Sequence, residues 1–367
     1  MISEQCFYID QKIVEQMTGA ITGYLKWHNN TVGIIYNHDL VGFINPDLNA
    51  AVKKLIKGKK SWSAEEYKNF LSDRVISRNR NGIENILLKL KLCNYDIIEI
   101  AEKSCAFNYK DLFWIASSES DLCENKLAEF FSVIGISLPK EGNKKNFTVN
   151  NGKYGILKNR LGNSTDIESE IACYNLGNLL GVNICPVRRV SKDVIFSEFV
   201  YDFSKEYLAD ARSLLTKEER SGDLYADFCN LCLKFPHITD DIYKIYIFDF
   251  ITRQIDRHVN LDMKIDDKGV SNLYPLYDNG RSLFWNENET AIIEKAVKNI
   301  KIPADIEKIA QNKKISSLVN LNINQREISN ILYKSGFTDY KLDGCLKWIL
   351  GATDMWPFSS ERKQQDL

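Results

Sequence analysis

The stretch DRHVNLDMKIDDKGVSNLYPLYDNG, residues 256–280, decides the reading of this chain. Leu261, Met263 and Ile265 alternate with Asp262, Lys264 and Asp266, the period of a strand. Asp266-Asp267-Lys268-Gly269 is turn chemistry, and Leu273 to Tyr277 reads as the returning strand. A hairpin places the residue before its first strand and the residue after its second at the same end. Asp256 and Asp278, 22 positions apart, are therefore expected side by side.

Working backwards, the hairpin follows an apolar helix. Thr239 reads as its cap, Asp240 and Asp241 as its acidic first turn, and Ile242, Ile245, Tyr246, Ile247, Phe248, Phe250 and Ile251 as a surface apolar nearly all round. Such a helix belongs in a core. Further upstream, two strand candidates flank the turn Asn150-Asn151-Gly152, the second being Lys153 to Lys158. A helix from about Asp166 to Leu180 follows, with Thr165 and Glu168 expected to form a capping box and Gly181 to end it. Val187 to Val190 and Val194 to Val200 read as two more strands. Residues 1 to about 118 look like an accessory region with strands at Val32 to Tyr36 and Leu40 to Ile44. Its helices are expected at Ala64 to Leu71, capped by Ser63 with Glu66, and at Ile83 to Leu92.

Composition narrows the function classes. Forty-eight basic residues against 49 acidic give a formal net charge of −1, with no footprint for direct nucleic-acid or anionic-membrane contact. No run approaches the roughly 18 apolar residues of a membrane helix, and the first residues do not read as a signal peptide. The nine cysteines are scattered and fit reduced, cytoplasmic thiols. Cys229 and Cys232 form a CxxC inside a helical pattern without a second pair, so a metal role is not expected. His28, His38 and His237 read as surface or loop residues.

Two carboxylates at one strand end suit phosphoryl transfer, which needs a cation on nucleotide phosphates, oxygens for magnesium and a carboxylate near the incoming hydroxyl. Taken alone, Asp256 is as readily a helix-end residue paired with Arg253 or Arg257. Lys158 can be read as an exposed strand lysine, although its alternation with Tyr154 and Ile156 turns its stem toward a packed face. Glu168 and Glu170 compete for the inward side of their helix.

Asp256-Arg257-His258 with Asn260, followed by Pro275 to Gly280, resembles the HipA-like bacterial serine/threonine kinases and, more distantly, phosphoinositide-type kinases. Lys158, Ser169-Glu170-Ile171-Ala172 and Asp111-Leu112-Phe113-Trp114-Ile115 resemble further segments of that family, over roughly Tyr109 to Asn286. The resemblance implies an α+β, two-lobed protein-kinase-like fold: accessory region 1–118, small lobe with connecting segment 119–200, large helical lobe 201–367. It implies ATP and Mg2+ as cofactors, a protein substrate, and a small antitoxin-like partner. Asp256 would be catalytic and Asp278 would hold magnesium. Lys158, braced by Glu170, would contact phosphates beneath a loop of Gly142, Asn143, Lys144 and Lys145. Glu198 and Phe199 would form the adenine hinge, while Arg257 and His258 would brace the catalytic loop. Thr148, Ser282 and Thr290 are candidate phosphosites. The family's metal-binding asparagine falls where this chain has Leu261; Asn260 is expected to serve instead, with Asp262 in reserve. A lipid or small-molecule kinase, and a catalytically weak module acting by nucleotide or partner binding, stay open as alternatives.

Overall fold

The structure, a computed structural model, describes residues 20–75, 77–79, 83–123, 125–126, 145–203, 205–257, 260–266, 268–269, 271–298 and 324–354. The chain divides into two compact units. One comprises Met1–Tyr154, Tyr201–Leu208 and Ile265–Val270; the other comprises Gly155–Val200, Ala209–Lys264 and Ser271–Leu367.

The first unit is built on an antiparallel sheet of β1 (Ile21–Trp27), β2 (Asn30–Tyr36), β3 (Leu40–Phe43), β4 (Ser61–Trp62) and β5 (Phe113–Ala116), in the order β4-β3-β2-β1-β5. Its helices are α1 (Ala50–Ile56), α2 (Ala64–Ser72), α3 (Ile83–Lys89) and α4 (Ile97–Ser104). The Ser63–Glu66 capping box forms at the start of α2. Sequence reasoning missed β1, because Lys26 interrupts its apolar pattern. The structure buries this lysine, and its Nζ donates to the carbonyls of Glu119 and Asp121 at 2.6 and 2.5 Å. Asp111 anchors the segment into β5: it takes both Arg74 Nη atoms at 2.9 and 2.5 Å and accepts from Phe113 N at 3.1 Å.

The chain enters the second unit within a strand. β6 (Lys145–Asn150), β7 (Lys153–Asn159), α5 (Asp166–Leu180), β8 (Val187–Ser191) and β9 (Val194–Glu198) follow in the expected order. In this unit β7 pairs antiparallel with β9 and β9 with β8. Gly155 lets the two backbones close in, since a Cβ there would stand 2.3 Å from Ser197 O. Gly181 ends α5 in the left-handed conformation, φ 71°. The capping box expected at Thr165 does not form. Thr165 makes no side-chain cap; its hydroxyl donates to Trp285 O at 3.1 Å, and Glu168 turns to Arg160.

After β10 (Glu206–Asp210) the chain is mainly helical: α6 (Leu224–Lys234), α7 (Thr239–Ile251), the strands β11 (Asp262–Asp266) and β12 (Ser271–Leu273), then α8 (Glu289–Ile293), α9 (Gln325–Ser335) and α10 (Asp339–Asp354). Thr239 is the first residue of α7 rather than its cap, because a 3-10 turn at Pro236–Ile238 runs straight into the helix. α7 is buried along its length and packs with α10, where Trp348 meets Phe250 and Phe284 edge to face. Each large buried side chain of this kind contributes about 1.5–3 kcal/mol. The returning strand is shorter than the sequence pattern suggests. Pro275 has no N–H to extend the ladder, and Leu276 instead bridges Ile184 in parallel. Cys229 and Cys232 lie half-buried in α6 as free thiols. Among the described residues no helix is long and apolar enough to cross a membrane.

Candidate active site

Lys158, Glu170, Glu198, Phe199, Asp256, Asn260 and Asp278 belong to the second unit. Lys158 sits near the end of β7, opposite Ile195, with its side chain only 10% exposed. Its Nζ lies 2.5 Å from Glu170 Oε1 and 3.0 Å from Asp278 Oδ1. Burial opposes the charge, but the carboxylates of Asp278 and Glu170 outweigh it and hold the ammonium above the ordinary lysine range. The other Glu170 oxygen accepts from the backbone N of Asn279 at 3.1 Å. One buried glutamate thus ties the strand lysine to the segment carrying Asp278. Asp278 has φ 59°, an uncommon conformation outside glycine that aspartate tolerates better than most residues.

The loop leaving α7 is fixed by Arg257. Its guanidinium forks onto Asp249 at 2.9 Å twice and donates to Tyr277 O at 3.1 Å and Asn279 Oδ1 at 2.6 Å. Burial works against this cation, and Asp249 more than restores it, raising its pKa further. The arginine therefore knits the Asp256 loop to the Asp278 loop. Asp249 was missed in the sequence, although a carboxylate inside an apolar helix was a readable signal. Gln254 was missed too. Its Oε1 accepts from Asp256 N at 3.0 Å and its Nε2 donates to Asp278 O at 3.2 Å, so one side chain spans both aspartate segments. Arg281 is the third addition: its Nη1 lies 3.1 Å from Asp256 Oδ2.

Asn260 is half-buried, and its Nδ2 donates to Asp256 O at 3.1 Å, leaving its Oδ1 as the hard-donor end. Leu261 is buried as its apolar character requires, but Asp262 is buried as well, at 1% exposure, and accepts from Tyr277 OH at 2.7 Å. Glu198 and Phe199 are half-buried at the end of β9, with Glu198 paired to Gly155 three positions before Lys158 on β7, about 10 Å away. Ser282 is fully buried, so a modifying enzyme would reach it only after local opening, whereas Thr290 is exposed in the first turn of α8. His258, Gly142, Asn143 and Lys144 lie outside the described residues, as do the side chains of Lys145 and Thr148.

Carboxylate oxygens of Asp278 and the amide oxygen of Asn260 are hard donors of the kind magnesium takes. Among the described residues no three His, Cys, Asp or Glu side chains gather into a metal cage. Magnesium at nucleotide sites uses one or two carboxylates and fills its shell from phosphates and water, so the donor set fits.

Among the solved structures that resemble the chain are the following two. HipA of the Shewanella oneidensis MR-1 toxin–antitoxin system, in complex with HipB and operator DNA, has a TM-score of 0.54 at 12% identity, over 94% of this chain and 99% of that one. The proinflammatory kinase CtkA of Helicobacter pylori has a TM-score of 0.48 at 15% identity, over 61% of this chain and 95% of that one. The likeness to HipA extends along nearly the whole chain and shows its fold, a HipA-like kinase fold of mixed helix and sheet. No protein-family profile and no curated protein matches the sequence.

Proposed function

We propose that the chain is a two-lobed ATP- and magnesium-dependent kinase that phosphorylates serine or threonine of a protein. One observation carries the reading: a buried lysine held at 2.5 and 3.0 Å between the carboxylates of Glu170 and Asp278, which lie 12 and 120 positions from it in the sequence. A cation between two acids, with Asp256 on the adjoining loop, is the set of groups that phosphoryl transfer asks for.

Bound ATP supplies the transferable phosphoryl group, and magnesium compensates its charge. Lys158 orients the phosphates and Glu170 fixes the lysine. Asp278 and Asn260 offer oxygens to the metal, and Glu198 with Phe199 offers backbone to the adenine. Asp256 accepts the proton of the incoming hydroxyl. Arg281 lies so near Asp256 that a hydroxyl seated there brings the transferred group within reach of its guanidinium. Arg257 holds both loops in place through Asp249 and Asn279.

A weak, nucleotide-binding module is the second reading. It is favoured by Leu261 at the usual ligand position and by the capture of Asp262 by Tyr277, which leaves Asn260 as the metal's second side chain. Protein as acceptor, a small protein partner and a cytoplasmic location rest on the HipA likeness and the cysteine pattern. Incubation with radiolabelled ATP and magnesium tests the proposal. Label on protein supports it, label on lipid redirects it, and nucleotide binding without transfer favours the second reading.

A further inference from the structure

Away from Lys158, the second unit contains a cavity of about 400 Å3 whose wall includes Asn163, Thr165, Glu287, Phe337, Thr338 and Lys341. Its volume is at the small end of the range for small-molecule sites. Lys341 is half-buried, and among the described residues its ammonium donates to neutral oxygens, Thr165 Oγ1 at 3.2 Å and Trp285 O at 3.5 Å, and forms no ion pair. Five other shielded cations of the unit, Lys158, Arg160, Arg212, Arg253 and Arg257, each have a carboxylate within 2.9 Å. Burial accordingly holds the Lys341 amine below the ordinary lysine range.

The carboxylates near the cavity do not supply the missing counter-charge. Glu287 is already held by Arg253 and Lys295, each at 2.7 Å. Asp339 also lines the cavity, but it is exposed and not paired with Lys341. In the wall itself Glu287 and Asp339 stand with one cation, Lys341; Glu287 is neutralised from outside the wall by Arg253 and Lys295, and Glu168, which also favours the Lys341 charge, is held by Arg160. A partly desolvated cation without a partner costs free energy that an oxyanion would recover. The Thr338 hydroxyl and the Asn163 amide in the same wall offer further donors.

We propose that this cavity is a second site, specific for a small metabolite carrying a phosphate or carboxylate, with Lys341 as its anion anchor. Occupancy reaches the active site through short connections. Lys341 bonds both Thr165, which immediately precedes α5, and Trp285, which follows the Asp278 loop; Thr165 N also donates to Trp285 O at 2.8 Å. Glu170 lies five residues along α5, about 7.5 Å from that junction. An anion that draws the ammonium off Trp285 alters the clamp between the segments carrying Glu170 and Asp278.

Thermal shift of the full chain with inorganic phosphate, against chloride at matched ionic strength, tests the site; acetate forms a parallel arm. The phosphate- or acetate-dependent rise in Tm should appear in the wild type and in Asp278→Ala. Apparent affinity should be at least tenfold weaker in Lys341→Met and near normal in Lys341→Arg. The stronger of the two anions identifies the ligand's acidic group. No rise with either anion, or a rise undiminished in Lys341→Met, overturns the site. A rise lost in Lys158→Met alone places the anion on the nucleotide site and also overturns it. The binding arm does not depend on the kinase reading. If Asp278→Ala leaves phosphoryl transfer unchanged, the kinase reading fails while the anion site stands.

Discussion

α5 carries two glutamates, Glu168 and Glu170, about 200° apart around the helix, and each holds a cation from β7 or the loop after it. Around Glu168 the cluster is closed. Arg160 forks onto both oxygens at 2.6 and 2.7 Å and also holds Asp193 at 2.6 Å and Ser164 O at 2.7 Å. Arg189 approaches at 3.5 Å and bonds Ser335 O. Around Glu170 the cation is a lysine, a point charge shared by the two carboxylates of Glu170 and Asp278. A planar guanidinium fork fixes its partners, whereas an ammonium can exchange a carboxylate for a phosphate at little geometric cost. The comparison separates ionic glue from an ionic site.

The variant that should break the open cluster most completely is Asp278→Ala. It removes the proposed metal ligand and the second partner of Lys158 together. Magnesium-dependent nucleotide binding and phosphoryl transfer should fall jointly, the rate by on the order of a thousandfold. Radiolabel transfer and nucleotide titration read the two effects, and near-normal activity would dissolve the distinction between the clusters. Asp256→Asn should act differently. Nucleotide affinity should persist while turnover falls by on the order of a hundredfold, because the proposed role of the carboxylate is toward the acceptor and not the nucleotide. A parallel loss of nucleotide affinity would make Asp256 a metal-binding or structural residue.

The two clusters were unequally legible in the sequence. Motif spacing brought Asp256, Asp278 and Lys158 forward because chemistry constrains those residue types at those places. Glu168 and Glu170 could not be separated by type, since helical phase relative to the sheet depends on packing that no local pattern states. The order of β6, β7, α5, β8 and β9 was readable from turn residues and periodicity. β1 was hidden by a lysine whose burial is stabilised by carbonyls more than 90 positions away. Asp249, Gln254 and Arg281 were missed for the same reason. Their roles come from partners in neighbouring loops, such as the Gln254 amide that joins the Asp256 backbone to the Asp278 carbonyl.

A smaller effect probes the far side of the open cluster. Asn260→Ala should raise the magnesium requirement by roughly tenfold, since its amide oxygen is the remaining hard donor on that loop. Asp262→Ala should leave the magnesium requirement unchanged and cost about 1–3 kcal/mol of stability, because Tyr277 OH loses its buried acceptor. Activity titrated with magnesium and a denaturant midpoint distinguish the two. If Asp262→Ala is the change that shifts the magnesium requirement, the metal sits one register further along the strand.

The smallest effect on transfer should come from Glu168→Gln, which sharpens the comparison from the closed side. Desolvation alone would raise the Glu168 carboxyl, yet the hydrogen bonds and charge of Arg160 and the charge of Arg189 pull its pKa below the usual glutamate range. A carboxylate whose folded pKa is depressed contributes stability that is fully present above its unfolded value, near 4.5, and is lost as pH falls through the lower folded value. The amide keeps the shape but gives up the charge, at a cost of about 1–3 kcal/mol at neutral pH. Tm should therefore drop by about 5 °C at pH 7. The gap to the wild type should narrow on acidification below about pH 4.5, where the wild type loses the same contribution. Transfer by the folded protein at 25 °C should be unchanged, because neither Glu168 oxygen touches Lys158. A rate loss comparable to that of Asp278→Ala, with little change in Tm, would mean that the closed cluster is the working one.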